Sequence, residues 1–461
     1  MLGNLSYRLV KLSFVWPLSR LSRPKQFLQL NGNDSLFQQT YKRLNKRINS
    51  KNIYIVTHED HKFEAIKQLS NIDGANLSVI LSEPQQRNTL PAISQAVFNI
   101  KKSNPNAILG IFPADHAIGN QDIFLNAWSS SEYFAEKGYL VLFGIKPYAP
   151  NTGYGYIEPG ALLSSQFYAV KSFVEKPSVS LAKKYIDKGY LWNSGIFVFK
   201  VSVFISLLKE FQPLIYELFD EHTNESLTSL YDKLPSISMD YGIAEKALKI
   251  AMISLDAGWS DLGEWNAIFN LNKKDSADNF NHGNVLNLQT KNSLIWAEKG
   301  SIVTFGLKDM IIIQTEDVTM ITNKNNAENI KTLVEKVKQY NLALTEIHKT
   351  VYRPWGHYTV LEESTSYKIK RIEVNPNAKL SLQLHKHRSE HWVVVSGVAS
   401  IINDKKVIEL HPNESTFIPK NKLHRLANNT KEALVIIEVQ CGNYVGEDDI
   451  MRFDDDYGRE G

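Results

Sequence analysis

The sequence predicts three structural units in series: an α/β domain, a small β-rich connector and a compact antiparallel β-domain. The chain has 461 residues, which is too long for one ordinary hydrophobic core. Strand-like and helix-like segments alternate up to about residue 270, whereas short strand-like runs dominate afterwards. We place the three units at residues 1–270, 271–348 and 349–461.

The first unit alternates apolar, β-branched runs with longer segments of helical spacing. The strand-like runs are Ile53–Val56, Leu77–Leu81, Ala107–Phe112 and Leu140–Ile145. The helix-like segments include Ala92–Lys102 and Ile123–Lys137. This order predicts a largely parallel sheet covered by helices. Such sheets bind ligands at the carboxyl ends of their strands, so functional residues are expected just after these runs.

The connector and the last unit both consist of strand-like runs, which are shorter in the connector. Short apolar runs separated by polar turns occur at Ser293–Trp296, Ile302–Phe305, Met310–Gln314 and Val318–Ile321. They indicate a small β-rich connector, for which a solenoid fragment is one arrangement, followed by a helix at Ala327–Leu344. Longer runs follow at Tyr367–Val374, Lys379–Leu384, Trp392–Val395, Ala399–Ile402 and Leu434–Val439. These runs predict a barrel or sandwich of about 110 residues.

The composition limits the class of protein. Hydrophobic residues make up 43% of the chain and charged residues 22%, which is ordinary for a globular protein. The net charge of +3 is small, so neither nucleic acid nor a membrane surface is expected as a partner. The sequence predicts no signal peptide, and no apolar run approaches the roughly 20 residues of a membrane helix. The single cysteine, Cys441, is consistent with a cytoplasmic protein; a homo-oligomer is left open.

Metal-binding residue types are concentrated between Leu382 and Trp392. Side chains two apart on a strand point to the same face, so Gln383, His385 and His387 are expected to project together. Glu390 follows after a short turn, and another histidine, His424, follows a turn downstream. Nitrogen and oxygen donors of this kind suit Zn²⁺, Fe²⁺, Mn²⁺ or Ni²⁺.

The spacing of these donors resembles the two motifs of the cupin superfamily. The first motif ends in His-X-His, three or four residues, Glu, six residues and Gly; here the match runs from Gln383 to Gly397. The second motif is matched by Pro419, His424 and Asn428, with Asn421 in place of glycine. A cupin β-barrel is therefore implied.

The register of the first motif decides the ligands. Starting at Gln383, it implies Gln383, His385, Glu390 and His424 as the ligand set. Starting at His385 leaves only two residues before Glu390, which is short for the superfamily. In the favoured register, His387 and the neighbouring His391 become candidates for contacting the ligands or the substrate.

The wider segment resembles type II phosphomannose isomerase over nearly all of residues 350–461. The matching pieces are Tyr352–Gly356, Ser381–His385, His387–Arg388, Glu390–Trp392, Val394–Gly397 and Gly446–Ile450. The resemblance implies interconversion of mannose 6-phosphate and fructose 6-phosphate. That reaction moves a proton between neighbouring carbons; a metal can polarise the carbonyl, and a base such as His or Glu390 must carry the proton. The substrate phosphate needs a cation, for which Arg388 is the first candidate. Further candidates for that cation are Arg425, Arg353, Arg371 and Lys379.

The first unit resembles mannose-1-phosphate guanylyltransferase of the bacterial bifunctional type. The matching pieces are Trp16–Arg20, Pro24–Leu28, Glu83–Pro84, Arg87–Thr89, Pro113–His116, Thr152–Ile157, Phe173–Pro177, Leu191–Gly195, Ser236–Ser238 with Asp240–Tyr241, and Gly258–Asp261. The resemblance implies a Rossmann-like α/β nucleotidyltransferase domain. It also implies that GTP and mannose 1-phosphate react to give GDP-mannose and pyrophosphate.

The same resemblance implies a role for each matched residue. Catalysis of phosphoryl transfer is mostly positioning and charge neutralisation, for which Lys25 and two Mg²⁺ ligands, Asp115 and Asp261, are the candidates. The nucleotide is expected to contact Arg20, Lys25, Glu83, Arg87, Asn88, Thr89 and Asp115. The sugar phosphate is expected to contact Gly155, Glu175, Lys176 and Asn193.

One segment departs from the transferase pattern. The family carries Gly-Gly-X-Gly-Thr-Arg-Leu immediately before the match to Trp16–Arg20, and backbone N–H groups of that loop surround the triphosphate. Here residues 9–15 read Leu-Val-Lys-Leu-Ser-Phe-Val, without a glycine. Either the reading frame was lost upstream of Trp16 or the transferase is degraded, and we expect little guanylyltransferase activity from this chain.

Three functional hypotheses therefore remain open from the sequence. The first is a bifunctional enzyme with an impaired transferase. The second is an isomerase whose first unit is only a scaffold or a nucleotide-sensing module. The loop at residues 9–15 favours this second hypothesis, whereas the rest of the first unit favours the first. The third is a sugar-binding barrel without enzymatic activity, which the metal-type donor set argues against.

Overall fold

The computed structural model describes residues 15–221 and 226–454, apart from the side chain of Ser78. Residues 9–14, which make up most of the departing loop, lie outside the described residues. No helix in the described ranges is long and apolar enough to cross a membrane.

The first unit is an α/β domain, as predicted. Its strands are β1 (Ile55–His58), β2 (Ile80–Glu83), β3 (Ile108–Ile111), β4 (Ala117–Ile118), β5 (Leu140–Ile145), β6 (Tyr156–Ser164), β7 (Phe167–Val174), β8 (Leu191–Lys200), β9 (Ile250–Ser254) and β10 (Trp259–Ser260). Its helices are α1 (Leu36–Asn45), α2 (Glu59–Ser70), α3 (Thr89–Lys101), α4 (Gln121–Glu136), α5 (Val179–Asp187), α6 (Val201–Phe211), α7 (Pro213–Asp220), α8 (Leu227–Lys233) and α9 (Trp265–Leu271).

A six-stranded sheet in the order β3-β8-β5-β9-β7-β6 forms the centre of this unit. Strands β5 and β9 are parallel, but β8 runs antiparallel to β3 and β5, and β7 runs antiparallel to β6 and β9. The prediction of a largely parallel sheet was therefore wrong. One reason is local: only two residues separate β6 from β7, and so short a connection can join only antiparallel strands.

Strand β5 shows how the sheet is buried. All six of its residues are buried, because one apolar cluster covers each face of the sheet. The first cluster contains Phe143 and Trp128 of α4; the second contains Leu142 and Val97 of α3. Burial on both faces accounts for the unbroken apolar run in the sequence of this strand.

The connector is a short β-solenoid, which confirms the predicted arrangement. Its strands are β11 (Phe280–Leu288), β12 (Leu294–Phe305), β13 (Met310–Gln314) and β14 (Thr319–Asn323). Strands β11, β12 and β13 stack in parallel, and β14 closes the sheet antiparallel to β13. Two helices follow, α10 (Ile330–Tyr340) and α11 (Ala343–Glu346). The connector shares its apolar core with the first unit, because Trp16 and Leu18 pack in the same cluster as Trp296 and Ile311.

The last unit is an antiparallel β-barrel, as predicted. Its strands are β15 (Thr350–Arg353), β16 (Gly356–Glu363), β17 (Tyr367–Val374), β18 (Ala378–Lys379), β19 (Leu382–His385), β20 (Arg388–Ser396), β21 (Ala399–Asn403), β22 (Lys406–Leu410), β23 (Ser415–Ile418), β24 (His424–Asn428), β25 (Leu434–Gly442) and β26 (Ile450–Asp454). They form two sheets, in the orders β15-β16-β17-β25-β20-β23 and β22-β21-β24-β19-β26, with β18 paired to β24.

The interior of the barrel is divided into an apolar end and a polar end. Strand register places Val374 opposite Leu434 and Ile372 opposite Ile436, and all four side chains are buried. Two residues beyond the Ile372–Ile436 pair, the register places Lys370 opposite Glu438, and both are buried. Charged groups are rarely buried without partners, so the polar end of the barrel is the candidate functional site.

Candidate active sites

The candidate metal centre lies at the polar end of the barrel. Alternating burial along β19 turns Gln383 and His385 inward, and the same alternation along β20 turns Glu390 inward. The first residue of β24, His424, pairs in register with Gln383. All four side chains of the implied ligand set are at most 9% exposed.

Three of these side chains converge on one point. Donor atoms of His385, Glu390 and His424 all lie within 4.8 Å of one another. The Nε2 atom of His385 is 2.9 Å from a carboxylate oxygen of Glu390 and 3.2 Å from Nε2 of His424. Two imidazole nitrogens and a carboxylate oxygen are a usual donor set for a divalent transition metal.

Hydrogen bonding selects which imidazole nitrogen is available to a metal. Nδ1 of His424 lies 2.9 Å from the carbonyl oxygen of Lys422, and Nδ1 of His385 lies 3.5 Å from that of Asp449. A proton on Nδ1 donated to each carbonyl leaves Nε2 with a free lone pair. Both Nε2 atoms face the point of convergence, so the residues present fit a bound divalent ion.

Electrostatics keep the carboxylate of the site ionised. Burial alone would raise the pKa of Glu390, but the hydrogen bond and charge of His385, with the charges of His424 and Arg388, lower it well below its ordinary value. Burial also lowers the pKa of His424, which favours its neutral form. An ionised carboxylate and a neutral imidazole are the forms that bind metals.

The remaining histidines of the segment lie apart from this point. The strand ends at His385, so His387 does not continue the inward row; its side chain is 59% exposed and its Nδ1 lies 2.7 Å from Asp449. His391 is on the outer face of β20, near Ser415. The expectation that His387 projects together with Gln383 and His385 was therefore wrong. Gln383 does point inward, where its side-chain oxygen accepts a hydrogen bond from Ser381.

The structure places Arg388 inside the centre instead of at its mouth. The guanidinium is buried; its Nε donates to Glu390 at 3.1 Å and its Nη1 donates to the carbonyl of Gly446 at 2.6 Å. Its Nη2 lies 3.5 Å from Nε2 of His385. These contacts place its charge beside the metal position, so they do not support a role in capturing the substrate phosphate.

Sequence reasoning missed a layer of polar residues behind Glu390. Trp392 Nε1 donates to both Glu390 and Glu438 at 3.1 Å, and Gln440 Nε2 donates to the same two carboxylates at 3.2 and 2.8 Å. Burial and the charge of Glu390 raise the pKa of Glu438 to about 8. A neighbouring cation, Lys370, lies 3.8 Å from Glu438. Trp392 and Gln440 fix the orientation of Glu390 by their hydrogen bonds, as neighbours of metal ligands generally do.

In the first unit, a two-stranded ribbon brings the predicted Mg²⁺ ligands to one place. Strand β4 pairs antiparallel with β10, so Asp115, two residues before β4, comes near Asp261, directly after β10. Lys25 lies against both: its Nζ is 2.9 Å from the Asp115 carboxylate and donates to the carbonyl oxygen of Asp261. Three residues that are widely separated in sequence thus form one charged cluster.

A tyrosine that the sequence-derived assignments did not include completes this cluster. The hydroxyl of Tyr154 donates to the carboxylate of Asp261 at 2.6 Å, and the backbone N–H of Gly263 donates to the same oxygen. Burial and the charge of Asp261 raise the pKa of Tyr154, so it remains a donor. Tyr154 lies within the matched piece Thr152–Ile157 but received no role there, because a hydroxyl contact across 107 residues leaves no spacing signal.

The predicted sugar residues form a second cluster next to the first. Gly155 lies between Glu175 and Asn193, and its carbonyl accepts from the Asn193 backbone at 2.8 Å. A Cβ atom at Gly155 would collide with the Glu175 carboxylate and lie 3.0 Å from the ring of Phe173, so the close approach needs glycine. The side-chain amide of Asn193 donates to Asp240 at 2.7 Å, which adds a carboxylate to the predicted set.

Glu175 is the most perturbed carboxyl of this cluster. Burial and the charge of Asp240 raise its pKa to about 7, although Lys176 is hydrogen-bonded to it. A carboxyl that changes charge near neutral pH is common in binding and catalytic sites.

We expect Glu175→Gln to remove a pH-dependent loss of stability. Between pH 4.5 and about 7 the unfolded chain ionises Glu175 while the folded protein retains its proton, so folding stability falls as pH rises. The glutamine variant lacks this slope and should gain up to about 3 kcal/mol relative to the native chain by pH 8. Thermal midpoints at pH 5 and pH 8 measure the difference. Glu210→Gln, at an exposed position of α6, is the control. If the thermal midpoints of Glu175→Gln and the native chain differed by the same amount at pH 5 and pH 8, the expectation would be contradicted.

The predicted nucleotide residues after β2 lie in one loop. Asn88 adopts a positive φ of 68° and caps α3, and the Thr89 hydroxyl accepts from the Met239 backbone at 2.9 Å. The guanidinium of Arg87 donates to the carbonyl of Tyr231, whose hydroxyl donates to Glu83. The loop is thus held at the carboxyl end of β2, where an α/β sheet presents ligand-binding residues.

Arg20 was predicted to contact the nucleotide, but the structure places it elsewhere. Its side chain is fully buried, and its guanidinium binds both carboxylate oxygens of Asp317 in the connector, at 2.7 and 2.5 Å. With its donors engaged inside the fold, Arg20 cannot also contact a triphosphate, so this assignment is corrected to a structural one.

Comparison with family models divides the chain in a similar way. The nucleotidyl transferase family matches residues 13–278, the MannoseP isomerase/GMP-like beta-helix domain matches 283–337, and the mannose-6-phosphate isomerase C-terminal family matches 340–455.

Similar proteins are known along the whole length. A protein of Salmonella montevideo named mannose-1-phosphate guanylyltransferase is 40% identical, over 97% of each chain. Xanthan biosynthesis protein XanB of Xanthomonas campestris pv. campestris is 39% identical, over 96% of each chain. A solved structure from Thermus thermophilus, described as a mannose-1-phosphate geranyltransferase, is 30% identical, with a TM-score of 0.65 over 72% of this chain and 96% of that chain.

Proposed function

Because the chain belongs to the family of mannose-1-phosphate guanylyltransferases that carry a C-terminal mannose-6-phosphate isomerase domain, we propose that it is a bifunctional enzyme that supplies GDP-mannose. The barrel interconverts mannose 6-phosphate and fructose 6-phosphate. The first unit joins mannose 1-phosphate to GTP and releases pyrophosphate. The product serves polysaccharide synthesis, as the name of the relative xanthan biosynthesis protein XanB suggests.

The isomerase proposal is carried by the convergence of His385, Glu390 and His424 at the buried polar end of the barrel. These three residues, with Gln383, hold a divalent transition metal such as Zn²⁺, Mn²⁺, Ni²⁺ or Fe²⁺. When bound, such an ion polarises the sugar carbonyl and stabilises negative charge on the enediol oxygens. The buried guanidinium of Arg388 adds positive charge at the same place, and exclusion of water strengthens both effects.

The transferase proposal rests on the cluster of Lys25, Asp115 and Asp261. Asp115 and Asp261 hold Mg²⁺, which supplies charge neutralisation on the phosphate oxygens when bound. Lys25, already paired with Asp115, adds a further positive charge for the nucleotide phosphates. Glu175 and Asn193, which approach closely at Gly155, bind the sugar hydroxyls, and Lys176 binds the sugar phosphate.

The scaffold alternative, in which the first unit is not catalytic, is less well supported. Both the nucleotidyl transferase match and the full-length relatives include the first unit. The structure also assembles a compact acidic and basic cluster there, which a scaffold does not require. The altered residues 9–15 bear on the rate of this activity.

Two assays on the purified full-length chain test the proposal. The first follows fructose 6-phosphate formed from mannose 6-phosphate, after chelation and after adding back Zn²⁺, Mn²⁺, Ni²⁺ or Fe²⁺. We expect activity to disappear with the chelator and to return with at least one ion. The second follows pyrophosphate released from GTP, mannose 1-phosphate and Mg²⁺. Isomerase activity that persists in full without any divalent ion would refute the metal-dependent mechanism.

A further inference from the structure

The segment that delivers Lys25 to the transferase cluster is anchored on the connector. Trp16 Nε1 donates to the carbonyl of Leu344 at 3.0 Å, and the backbone N–H of Ser22 donates to the carbonyl of Glu346 at 2.9 Å. Both acceptors belong to the stretch at α11 that leads from the solenoid towards the barrel. The first unit and the connector are therefore joined by hydrogen bonds at this segment, in addition to their shared apolar core.

The strongest of these contacts is the pair formed by Arg20 and Asp317. The two carboxylate oxygens accept from Nη1 and Nη2 at 2.7 and 2.5 Å, and Nη1 also donates to the carbonyl of Ile347 at 2.6 Å. The hydroxyl of Thr315 donates to Asp317 at 3.0 Å and fixes the carboxylate from its own side. A two-pronged, charge-assisted pair with no exposed surface on the arginine defines both the distance and the orientation of its partner.

A closed turn transmits this anchorage to Lys25. The backbones of Arg20 and Arg23 exchange two hydrogen bonds, at 3.2 and 3.0 Å, so the turn between them has one shape. Pro24 follows with φ of −69°, a torsion that its ring restricts, and Lys25 comes next. Because only Pro24 separates the turn from Lys25, a shift of Arg20 is expected to move the backbone that carries the Lys25 ammonium to Asp115.

We propose that Asp317 of the connector is a positioning residue for the transferase reaction, which sets Lys25 against Asp115 through Arg20 and the Arg20–Arg23 turn. This inference rests on the proposed transferase function. It makes the solenoid part of the transferase site, through the contact of Asp317 with Arg20. A chain cut after residue 270 would keep Asp115, Asp261 and Lys25 but lose the carboxylate that holds Arg20.

The test compares Asp317→Asn with the native full-length chain. Asparagine keeps the size of the side chain but removes the charge and one of the two acceptor oxygens. We expect the kcat for pyrophosphate release to fall about 100-fold, the effect of a misplacement of about 1 Å, with KM values changed less than threefold. The isomerase rate should stay the same. A rise in KM at constant kcat would indicate lost substrate binding and would contradict positioning.

A second readout does not depend on turnover. Lys25 is 8% exposed and ion-paired, so it should react slowly with acetic anhydride; Asp317→Asn should raise its acetylation at least threefold, relative to the exposed Lys431 as internal reference. Peptide mass spectrometry measures both rates. Arg20→Lys, which retains one cation without the two-pronged geometry, should give an intermediate value.

Asp309→Asn is the matched control. Asp309 is also a connector aspartate, and its carboxylate accepts from Asn292 at 2.5 Å, away from Arg20. The Asp309→Asn variant should leave the kcat for pyrophosphate release and the acetylation of Lys25 unchanged. If the native chain released no pyrophosphate, the proposed transferase function would fail, and the acetylation arm would still decide the contact. In an active enzyme, unchanged kcat or unchanged acetylation in Asp317→Asn overturns the inference.

Discussion

His424→Ala is expected to abolish divalent-ion binding and to lower isomerase activity by about three orders of magnitude. The variant removes one of three donors that lie within 4.8 Å of one another, and no other side chain on β24 can replace its Nε2 atom, since the next inward residue is Leu426. A metal contributes several kcal/mol to a reaction of this type, which corresponds to a factor of about 1000 in rate. His385→Ala should behave in the same way.

Metal content and fructose 6-phosphate formation measure this effect on the same preparation. His391→Ala is the control, because His391 belongs to the same segment but lies on the outer face of β20. It should retain both the ion and the activity. Circular dichroism shows whether the variants remain folded. If His424→Ala kept its ion and its rate, the proposed set of ligands would be refuted.

The metal centre could be predicted because strand periodicity is short and rigid. Along β19, inward and outward side chains alternate, so spacing alone places Gln383 and His385 on one side. Glu390 lies on β20, after the turn, and its place in the set came from the resemblance to the cupin motif. The cupin register then distinguished this set from the one beginning at His385. The position of His387 could not be derived in this way, because the strand ends at His385 and the next residues form a turn held by Asp449.

The parts that sequence reasoning missed depend on contacts between distant strands. Glu438 and Lys370 face Glu390 only because β17, β25 and β20 are neighbours, and neither residue belongs to a matched motif. Arg20 and Asp317 are separated by 297 residues. Motif spacing assigned Arg20 to the nucleotide, whereas packing between the first unit and the solenoid directs it elsewhere. Likewise, alternating strands and helices indicated an α/β domain but did not reveal that β8 and β7 run against their neighbours.

Restoring the glycine-rich loop is expected to raise guanylyltransferase activity at least about 100-fold. The variant combines Leu9→Gly, Val10→Gly, Leu12→Gly, Ser13→Thr and Phe14→Arg, and it leaves the buried Val15 unchanged. In the family pattern this loop surrounds the triphosphate with backbone N–H groups and supplies an arginine. Loss of a single such donor typically costs a factor of about 100 to 1000 in rate. Recovery of several donors together should therefore raise the rate of pyrophosphate release by at least that factor.

Pyrophosphate release from GTP, mannose 1-phosphate and Mg²⁺ measures the restoration, with isomerase activity as the internal reference. Phe14→Arg alone is the informative control, because it returns the cation without the glycines. If Cβ atoms obstruct the approach of the backbone to phosphate, this single change recovers little, whereas the five changes together recover turnover. Lys25→Ala in the restored chain should remove the gained activity, since Lys25 pairs with Asp115 in the described structure. Rapid turnover by the native chain, with no gain on restoration, would show instead that the transferase site is complete without a glycine cradle.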